Sequence, residues 1–167
     1  MSGNTQWQVF IDPATFYASV QGGRCLFAAS SGSVNPSNAG IICAGITNPS
    51  NTIKSLFISS IYYSSINGAI TFVRYRNATI TGGTSIAPMN QGGGPLTSVA
   101  TFVTGKTVTI NASGGQTTTM TYQSSADYSD AHPYGGTIIL PPGDSLHWIV
   151  TGSPSDACVL DLVWWEI

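Results

Sequence analysis

Glycine, proline and short runs of β-branched residues alternate along most of this chain. The 167 residues include 19 glycines and 9 prolines, and Val, Ile, Thr, Tyr and Phe are frequent in the segments between them. Hardly any stretch has the 3.6-residue apolar period of a helix, whereas the two-residue alternation of a strand recurs between turn signals. The pattern predicts an all-β chain with about eight to ten strands, folded as a sandwich or a barrel.

The length of the chain is that of one domain with its own hydrophobic core. Hydrophobic residues make up 42% of the sequence, and no internal repeat is visible. Residues 1–22 are less regular and contain the pair Asp12-Pro13, so we expect an extended N-terminal arm there. Residues 23–167 are then expected to form a single antiparallel β-sandwich.

Charged side chains are scarce in this sequence. They account for 7% of the residues, against about a quarter in an ordinary soluble domain, and Ser, Thr, Asn, Gln and Gly supply the polar surface instead. The net charge of −2 leaves no basic stripe for a phosphate backbone, which argues against nucleic-acid binding. Neither a signal peptide nor a membrane-spanning stretch is recognisable, so we expect synthesis in the cytoplasm and no membrane association.

The segment from Thr52 to Arg76 contains the pair Asn67-Gly68, which is the strongest short-range signal for a type I′ hairpin. In the register that this turn sets, Tyr63 and Phe72 lie on one side of the ribbon, and other large apolar groups lie on the opposite side. A sandwich strand normally has one face in water. We therefore expect the second face to be covered by an arm of the chain or by another subunit.

The last predicted strand, residues 157–167, has the same property. One face carries cysteine, leucine and tryptophan, and the other carries valine, aspartate, tryptophan and isoleucine. Two apolar faces imply a core on one side and an oligomer interface with aromatic anchors on the other. Together the two segments give the predicted interface residues Tyr63, Phe72, Val159, Val163, Trp165 and Ile167.

An aspartate, a serine and a histidine, Asp144, Ser145 and His147, stand close together in the segment PPGDSLHW. A serine and a histidine two positions apart on a strand are about 7 Å apart, too far for the nucleophile-to-base hydrogen bond of roughly 3 Å. No GxSxG elbow occurs in the sequence. The segment therefore predicts a turn followed by a strand, and we expect no enzymatic activity, no catalytic residues and no cofactor.

Asp127, Asp130 and His132 are candidates for a metal site. Oxygen and imidazole ligands clustered on one loop can hold a divalent ion. Their spacing matches neither an EF-hand nor a zinc-protease pattern, and aspartates also collect in loops because they favour turns. A histidine at a subunit contact is the competing interpretation.

Three cysteines, Cys25, Cys43 and Cys158, stand in apolar, strand-like settings. No CxxC pair occurs among them, which argues against zinc. An odd number of cysteines without a secretory signal favours reduced thiols that serve as small hydrophobic groups. A single bridge among the three is the alternative.

Several aromatic residues could form a platform on which a sugar ring stacks, a common task of β-sandwiches. Core and interface packing accounts for the same residues equally well. A glycan therefore remains an alternative partner. The residues concerned are Trp7, Tyr62, Tyr63, Tyr134, Trp148 and Trp165.

Two segments, YRNATITGGTSIAPMNQGGGP and GTIILPPGDSLHWIVTGSPSDACVLDLVWWEI, resemble a class of small tailed-phage virion proteins. In that class a strand ending in R-N-x-T-x-x-G-G-T precedes a small-polar loop. The chain then closes with L-P-P-G-x-S-L and a final strand ending in W-x-E. The likeness runs loosely from about Ile41 to the C-terminus, and residues 1–40 take no part in it.

The resemblance implies a jelly-roll-like β-sandwich of about eight strands that sits on a capsid or tail, often as a trimer, and it brings no catalytic residues. We therefore expect a structural virion protein of a tailed bacteriophage, of the capsid-decoration or head-fibre type. It would associate with itself and with major capsid or tail proteins. The alternatives are a carbohydrate- or receptor-binding module of a tail fibre and a self-polymerising extracellular filament subunit.

Overall fold

The computed structural model describes residues 26–38, 40–80, 82–93, 95–105, 110–111, 116–123 and 128–167. Every regular element in these ranges is a β-strand, which confirms the all-β class. No helix in this part of the chain is long and apolar enough to cross a membrane. The arm predicted for residues 1–22 lies outside the described residues.

Thirteen strands lie within the described ranges, more than the eight to ten that the pattern predicts, because several short segments follow the fourth strand. In chain order they are β1 (Leu26–Ser30), β2 (Ile41–Thr47), β3 (Leu56–Ile66), β4 (Thr71–Arg76), β5 (Thr79–Ile80), β6 (Thr84–Ile86), β7 (Met89–Asn90), β8 (Thr101–Thr104), β9 (Ile110–Asn111), β10 (Gln116–Gln123), β11 (Tyr128–Leu140), β12 (Ser145–Thr151) and β13 (Ala157–Glu166).

The strands form two main sheets that face each other, as a β-sandwich requires. One sheet has five strands in the order β11-β3-β13-β1-β7, and the other has six in the order β10-β4-β12-β2-β8-β6. Strands β5 and β9 make a separate pair. Neighbouring strands run antiparallel in every ladder, as predicted.

The core lies between the two sheets and is centred on aromatic contacts. Trp164 of β13 lies parallel to Phe102 of β8 at a centroid distance of 6.5 Å, and it packs at 6.3 Å against Phe27 of β1. Alternate residues of β13 point into this core, as the sequence predicted for that strand. Full burial of an aliphatic or aromatic side chain contributes roughly 1.5–3 kcal/mol, so this layer dominates the stability of the sandwich.

The chain at Asn67-Gly68 crosses from one sheet to the other, and the predicted hairpin is wrong. Strand β3 pairs with β11 and β13, whereas β4 pairs with β10 and β12. Asn67 has a φ of 71°, but Gly68 lacks the positive φ that a type I′ turn requires. Gly68 is needed for a different reason, because a Cβ at this position would collide with the carboxylate of Asp156.

The outer face of the six-stranded sheet is covered by the chain itself. Ile42 and Ile149 form a second apolar cluster there, and Tyr75, Ile80 and Val103 pack against it. Because Ile80 belongs to β5, the short pair β5-β9 lies over this part of the sheet. Strand β12 is consequently buried on both of its faces.

Candidate functional site

The five-stranded sheet presents an outer face on which small side chains alternate with large exposed apolar ones, Tyr62, Ile66, Met89 and Ile139. Strand pairing arranges them in rows across β11, β3, β13 and β1, and Tyr62 is the largest one that projects, with 47% of its surface exposed. We call this surface the outer face. One row contains Ala131, Tyr62, Asp161 and Ser30, and the next contains Pro133, Ser60, Val163, Ala28 and Met89.

Two open grooves meet on the outer face at Tyr62 and Asp161. The larger, of about 590 Å³, is mainly apolar and runs along β1 towards Ile86 and Met89. The smaller, of about 510 Å³, runs towards β11 and is richer in hydroxyl and carboxylate groups. Besides the two shared residues, the smaller groove is lined by Tyr63, Ser64, Ser129, Asp130, Ala131 and Val159.

Asp161 is the one charged residue in the two rows of the outer face. Its side chain is half-buried, between Tyr62 on β3 and Ser30 on β1. The Oδ1 atom is shielded from solvent and has no hydrogen-bond partner among the described residues. Leaving a buried acceptor unpaired costs about 1–3 kcal/mol, and more when it is charged.

The predicted interface residues divide between the core and the outer face. Tyr63 and Phe72 are 8% and 3% exposed, and their rings pack 5.7 Å apart between the sheets. Both side chains therefore belong to the core and not to the predicted oligomer interface, because β3 and β4 lie in different sheets. Val159 and Val163 are half-buried on the outer face, and Ile167 is exposed beyond the end of β13.

Trp165 also belongs to the outer side of the sheet, yet it is only 6% exposed. Phe57 stacks against it with ring centroids 6.0 Å apart. Strand β11 bulges between Pro133 and Ile138, and this brings Gly136 onto the indole, where a Cβ would overlap the ring. The bulge of β11 thus covers the aromatic group that the sequence assigned to a neighbouring subunit.

Two of the three metal candidates, Asp130 and His132, contact the same tyrosine. The hydroxyl of Tyr63 donates to Asp130 Oδ2 at 3.1 Å and lies 3.0 Å from His132 Nε2. Since a phenol has one proton to donate, His132 donates from Nε2 in this arrangement. Asp127 lies outside the described residues, and no group of three or more His, Cys, Asp or Glu able to hold a metal occurs within them.

A small cavity of about 30 Å³ lies beside this tyrosine, at the open edge of the sandwich. Its volume is about that of one water molecule, too small for an organic ligand. It is therefore a gap in the packing between the sheets. Its lining is Ile61, Tyr63, Phe72, His132, Tyr134, Trp148 and Leu160.

The PPGD segment forms the predicted turn. The amide of Asp144 donates to the carbonyl of Pro141 at 3.0 Å, and Gly143 has a φ of 91°, as the third position of a type II turn requires. The Asp144 carboxylate accepts from Arg76 at 2.7 Å and from Asn77 at 3.0 Å. Through these hydrogen bonds Asp144 links the turn to the end of β4.

Ser145 and His147 are both buried on β12 and have separate surroundings. The Ser145 amide donates to the side chain of Asn77 at 2.8 Å. The His147 ring lies over Gly45 of β2, and its Nδ1 has no hydrogen-bond partner among the described residues. Because no carboxylate in the described part of the chain orients this imidazole, Asp144, Ser145 and His147 are not arranged there as a hydrolase triad.

Burial sets the charge state of His147. The imidazole is 5% exposed, and loss of hydration lowers its pKa to about 4, because the imidazolium form is disfavoured away from water. At neutral pH the ring is therefore uncharged. It acts as a packing group against Gly45.

Glu166 is a second carboxylate with a structural role that the sequence did not indicate. It is 1% exposed and accepts hydrogen bonds from the Ser98 hydroxyl, from the Val99 amide at 3.0 Å and from the Trp164 indole at 3.3 Å. Lys54 lies 3.4 Å away. Glu166 thus joins the end of β13 to the loop before β8.

The aromatic residues proposed as a sugar platform do not form one surface. Trp148 belongs to the core, Tyr134 packs against the core, and Trp7 lies outside the described residues. Tyr62 alone of the six is exposed among those that the structure describes. A sugar would therefore meet one aromatic ring and the hydroxyl and carboxylate groups of the smaller groove.

The outer face could not have been located from the strand pattern alone. The sequence indicated that β13 has two apolar sides, but the contributions of β1, Ile86 and Met89 depend on how the strands associate. The one local signal was Asp161, a lone charge within the apolar run CVLDLVWW.

Comparisons with protein-family models, with curated proteins and with solved structures gave no match.

Proposed function

We propose that this chain is a structural virion protein of a tailed bacteriophage, a capsid-decoration or head-fibre type component that self-associates and binds the particle surface. The observation that carries the proposal is the outer face, a broad and largely apolar surface with two grooves and few charged groups. Its composition suits an interface core, from which charged residues are depleted. The resemblance of two segments to tailed-phage virion proteins supports a particle-bound role.

We further propose a jelly-roll topology for the sandwich. The support is the alternation of the long strands: β1, β3, β11 and β13 lie in one sheet, and β2, β4, β10 and β12 lie in the other. Most steps along this series, such as those from β1 to β2 and from β12 to β13, change sheet. Jelly rolls are common in viral capsid and lectin domains, which agrees with a particle-bound role.

The partner on the outer face is a second copy of the chain. Stacked sheets lie about 10 Å apart, with the side chains of both faces between them, and a largely apolar face suits such stacking. In a closed ring of three copies, as the resemblance implies, the outer face of each copy would contact a different surface of the next copy, which buries this face and keeps the oligomer finite.

The test is a charge placed in the centre of the outer face. Val163→Glu introduces a carboxylate beside Asp161 without touching the core, and we expect it to convert an oligomer into a monomer in size-exclusion chromatography with light scattering. Ile53→Glu is the matched control, because Ile53 is 99% exposed in a loop away from the sheets. A monomeric wild-type protein at tens of micromolar, or an unchanged oligomer for Val163→Glu, would contradict self-association through this face.

A separate measurement tests whether the chain is a component of a phage particle. Mass spectrometry of purified phage particles should detect the chain at a stoichiometry set by the capsid or tail symmetry, and immunogold labelling should locate it on the head or the tail. Failure to find it in particles while it accumulates in infected cells would exclude the virion role. That outcome would leave the oligomer measurement unaffected.

A second candidate function is glycan binding, and the smaller groove is the observation that favours it. Tyr62 offers a ring face to a sugar, while Asp161, Ser64 and Ser129 offer acceptors and donors to its hydroxyls. Tyr62→Ala and Asp161→Asn should each abolish binding of a glycan selected on an array, measured by calorimetry. If both variants keep full affinity, this groove does not bind the glycan.

A further inference from the structure

The two described cysteines meet in the core, one from each sheet. Cys43 lies on β2 of the six-stranded sheet and Cys158 on β13 of the five-stranded sheet. Their sulfur atoms are 3.5 Å apart, and both side chains are fully buried. The contact joins residues 115 positions apart in the sequence.

We propose that Cys43 and Cys158 form a disulfide that ties the two sheets together when the protein folds under oxidising conditions. A disulfide bond is about 2.05 Å long, so the sulfurs must approach by roughly 1.5 Å, a movement within reach of side-chain rotation and small backbone shifts. The contacts that the thiols would give up are weak: Cys43 lies 3.9 Å from the Ser31 hydroxyl, and Cys158 lies 3.4 Å from the Val34 carbonyl. The inference is independent of the proposed function.

The reaction needs an oxidant, and a low-molecular-weight disulfide such as oxidised glutathione supplies it. One cysteine thiolate attacks a glutathione sulfur, forms a mixed disulfide and releases one glutathione thiolate. The second cysteine thiolate then attacks the protein sulfur of the mixed disulfide and releases the other glutathione. The two protein thiols are oxidised, one glutathione disulfide is reduced to two thiols, and the two protons pass to those thiols.

Burial determines when the bond can form. The contact with Cys158 and the loss of hydration raise the pKa of Cys43 well above its ordinary value, so little thiolate exists in the folded protein. Glutathione also cannot reach a fully buried sulfur. The bond therefore forms during folding, before the two sheets have closed over the cysteines. Once the core has formed, it shields Cys43 and Cys158 from reagents in solution, whether they are thiols or a disulfide.

The experiment compares refolding in a glutathione redox buffer with refolding in excess reductant. In the redox buffer we expect the intact mass to fall by two hydrogen atoms and peptide mapping to recover a Cys43–Cys158 cross-linked pair. The oxidised form should melt roughly 10 °C higher than the reduced form, since the bridge closes a long loop. Cys25→Ser is the control that keeps the bond, and Cys43→Ala and Cys158→Ala each abolish it together with the gain in Tm.

The proposal is overturned if wild-type protein refolded in the redox buffer retains three titratable thiols. It is equally overturned if peptide mapping finds a bridge that involves Cys25, or if the bond forms without raising the Tm. Should either alanine variant fail to fold, the peptide map of the wild-type protein decides the pairing without it.

Discussion

Individual polar residues in this protein act mainly by linking loops and turns to the strands through hydrogen bonds. Asp144 joins the turn before β12 to Arg76, and Glu166 joins the last strand to the loop at Ser98 and Val99. Each carboxylate accepts several hydrogen bonds, and removal of Glu166 would leave the buried Trp164 indole without its acceptor. In a chain with so few charges, these residues hold loops against a core that is otherwise apolar. His147 differs from them because it is buried without a charged partner.

His147 makes stability depend on pH in a direction that follows from its lowered pKa. The unfolded chain takes up a proton near pH 6.5, whereas the folded protein does so only near pH 4. The folded state is therefore fully favoured above pH 6.5 and loses stability as the pH falls towards 4. Between pH 7 and pH 5 we expect His147 to remove about 2 kcal/mol from the free energy of unfolding.

Urea denaturation at the two pH values measures this effect. His147→Gln should lose that component of the pH dependence, whereas His132→Gln, at a partly exposed histidine, should retain it. An equal pH dependence in wild type and His147→Gln would show that the imidazole is not the source. For each protein the measured quantity is the change in the free energy of unfolding between pH 7 and pH 5. A general loss of stability in either variant shifts both values equally and does not affect this change.

At the scale of the strand, small irregularities determine which surfaces are exposed. The bulge in β11 places Gly136 over Trp165, and the pair β5-β9 covers the six-stranded sheet. Both features bury apolar groups that would otherwise lie in solvent. They leave the outer face of the five-stranded sheet as the broad surface with grooves.

The bulge can be tested by adding a methyl group under it. Gly136→Ala should destabilise the protein by about 1–3 kcal/mol, because the new Cβ would overlap the Trp165 indole. Gly135→Ala is the matched control: it also has a positive φ, but open space surrounds its Cβ position. Thermal unfolding of the two variants should differ clearly, and similar losses in both would mean that backbone strain alone accounts for the effect.

The strands and turns were easier to predict than the pairing between strands. The alternation of β13 and the turn at Pro141–Asp144 follow from local chemistry, and the structure confirms both. The association of β3 with β11 and β13 involves residues far apart in sequence, which a local turn signal cannot encode. Asn67-Gly68 is the clearest case, because the same dipeptide satisfies a corner between sheets as well as a hairpin. The placement of Tyr63 and Phe72 was wrong for this reason.

The whole molecule is held together by apolar contacts and hydrogen bonds, with few charges to direct association. Asp161 is the lone charge in the rows of the outer face, so electrostatic attraction contributes little to the proposed contact between copies. Burial of apolar surface is instead strengthened, or left unchanged, by ordinary salts. The proposed oligomer is therefore one that tolerates large changes in ionic strength.

We expect the oligomer to persist, with its dissociation constant changed less than about threefold, when sodium chloride is raised from about 0.05 M to about 0.5 M. Sedimentation equilibrium at the two salt concentrations measures this directly. Dissociation at the higher concentration would mean that charged groups outside the outer face hold the copies together. Val163→Glu, as the monomeric reference, should sediment identically in both buffers.

The burial of β12 on both sides has a consequence for the sequence variation that this protein can accept. A typical sandwich strand tolerates replacement at every second position, so a saturation mutagenesis profile along it rises and falls with a period of two. The stretch from Ser145 to Val150 has no solvent-facing position at which a replacement would be tolerated. Its profile should be uniformly intolerant, and lineages of this protein would diversify on the flanking strands while this central stretch changes least.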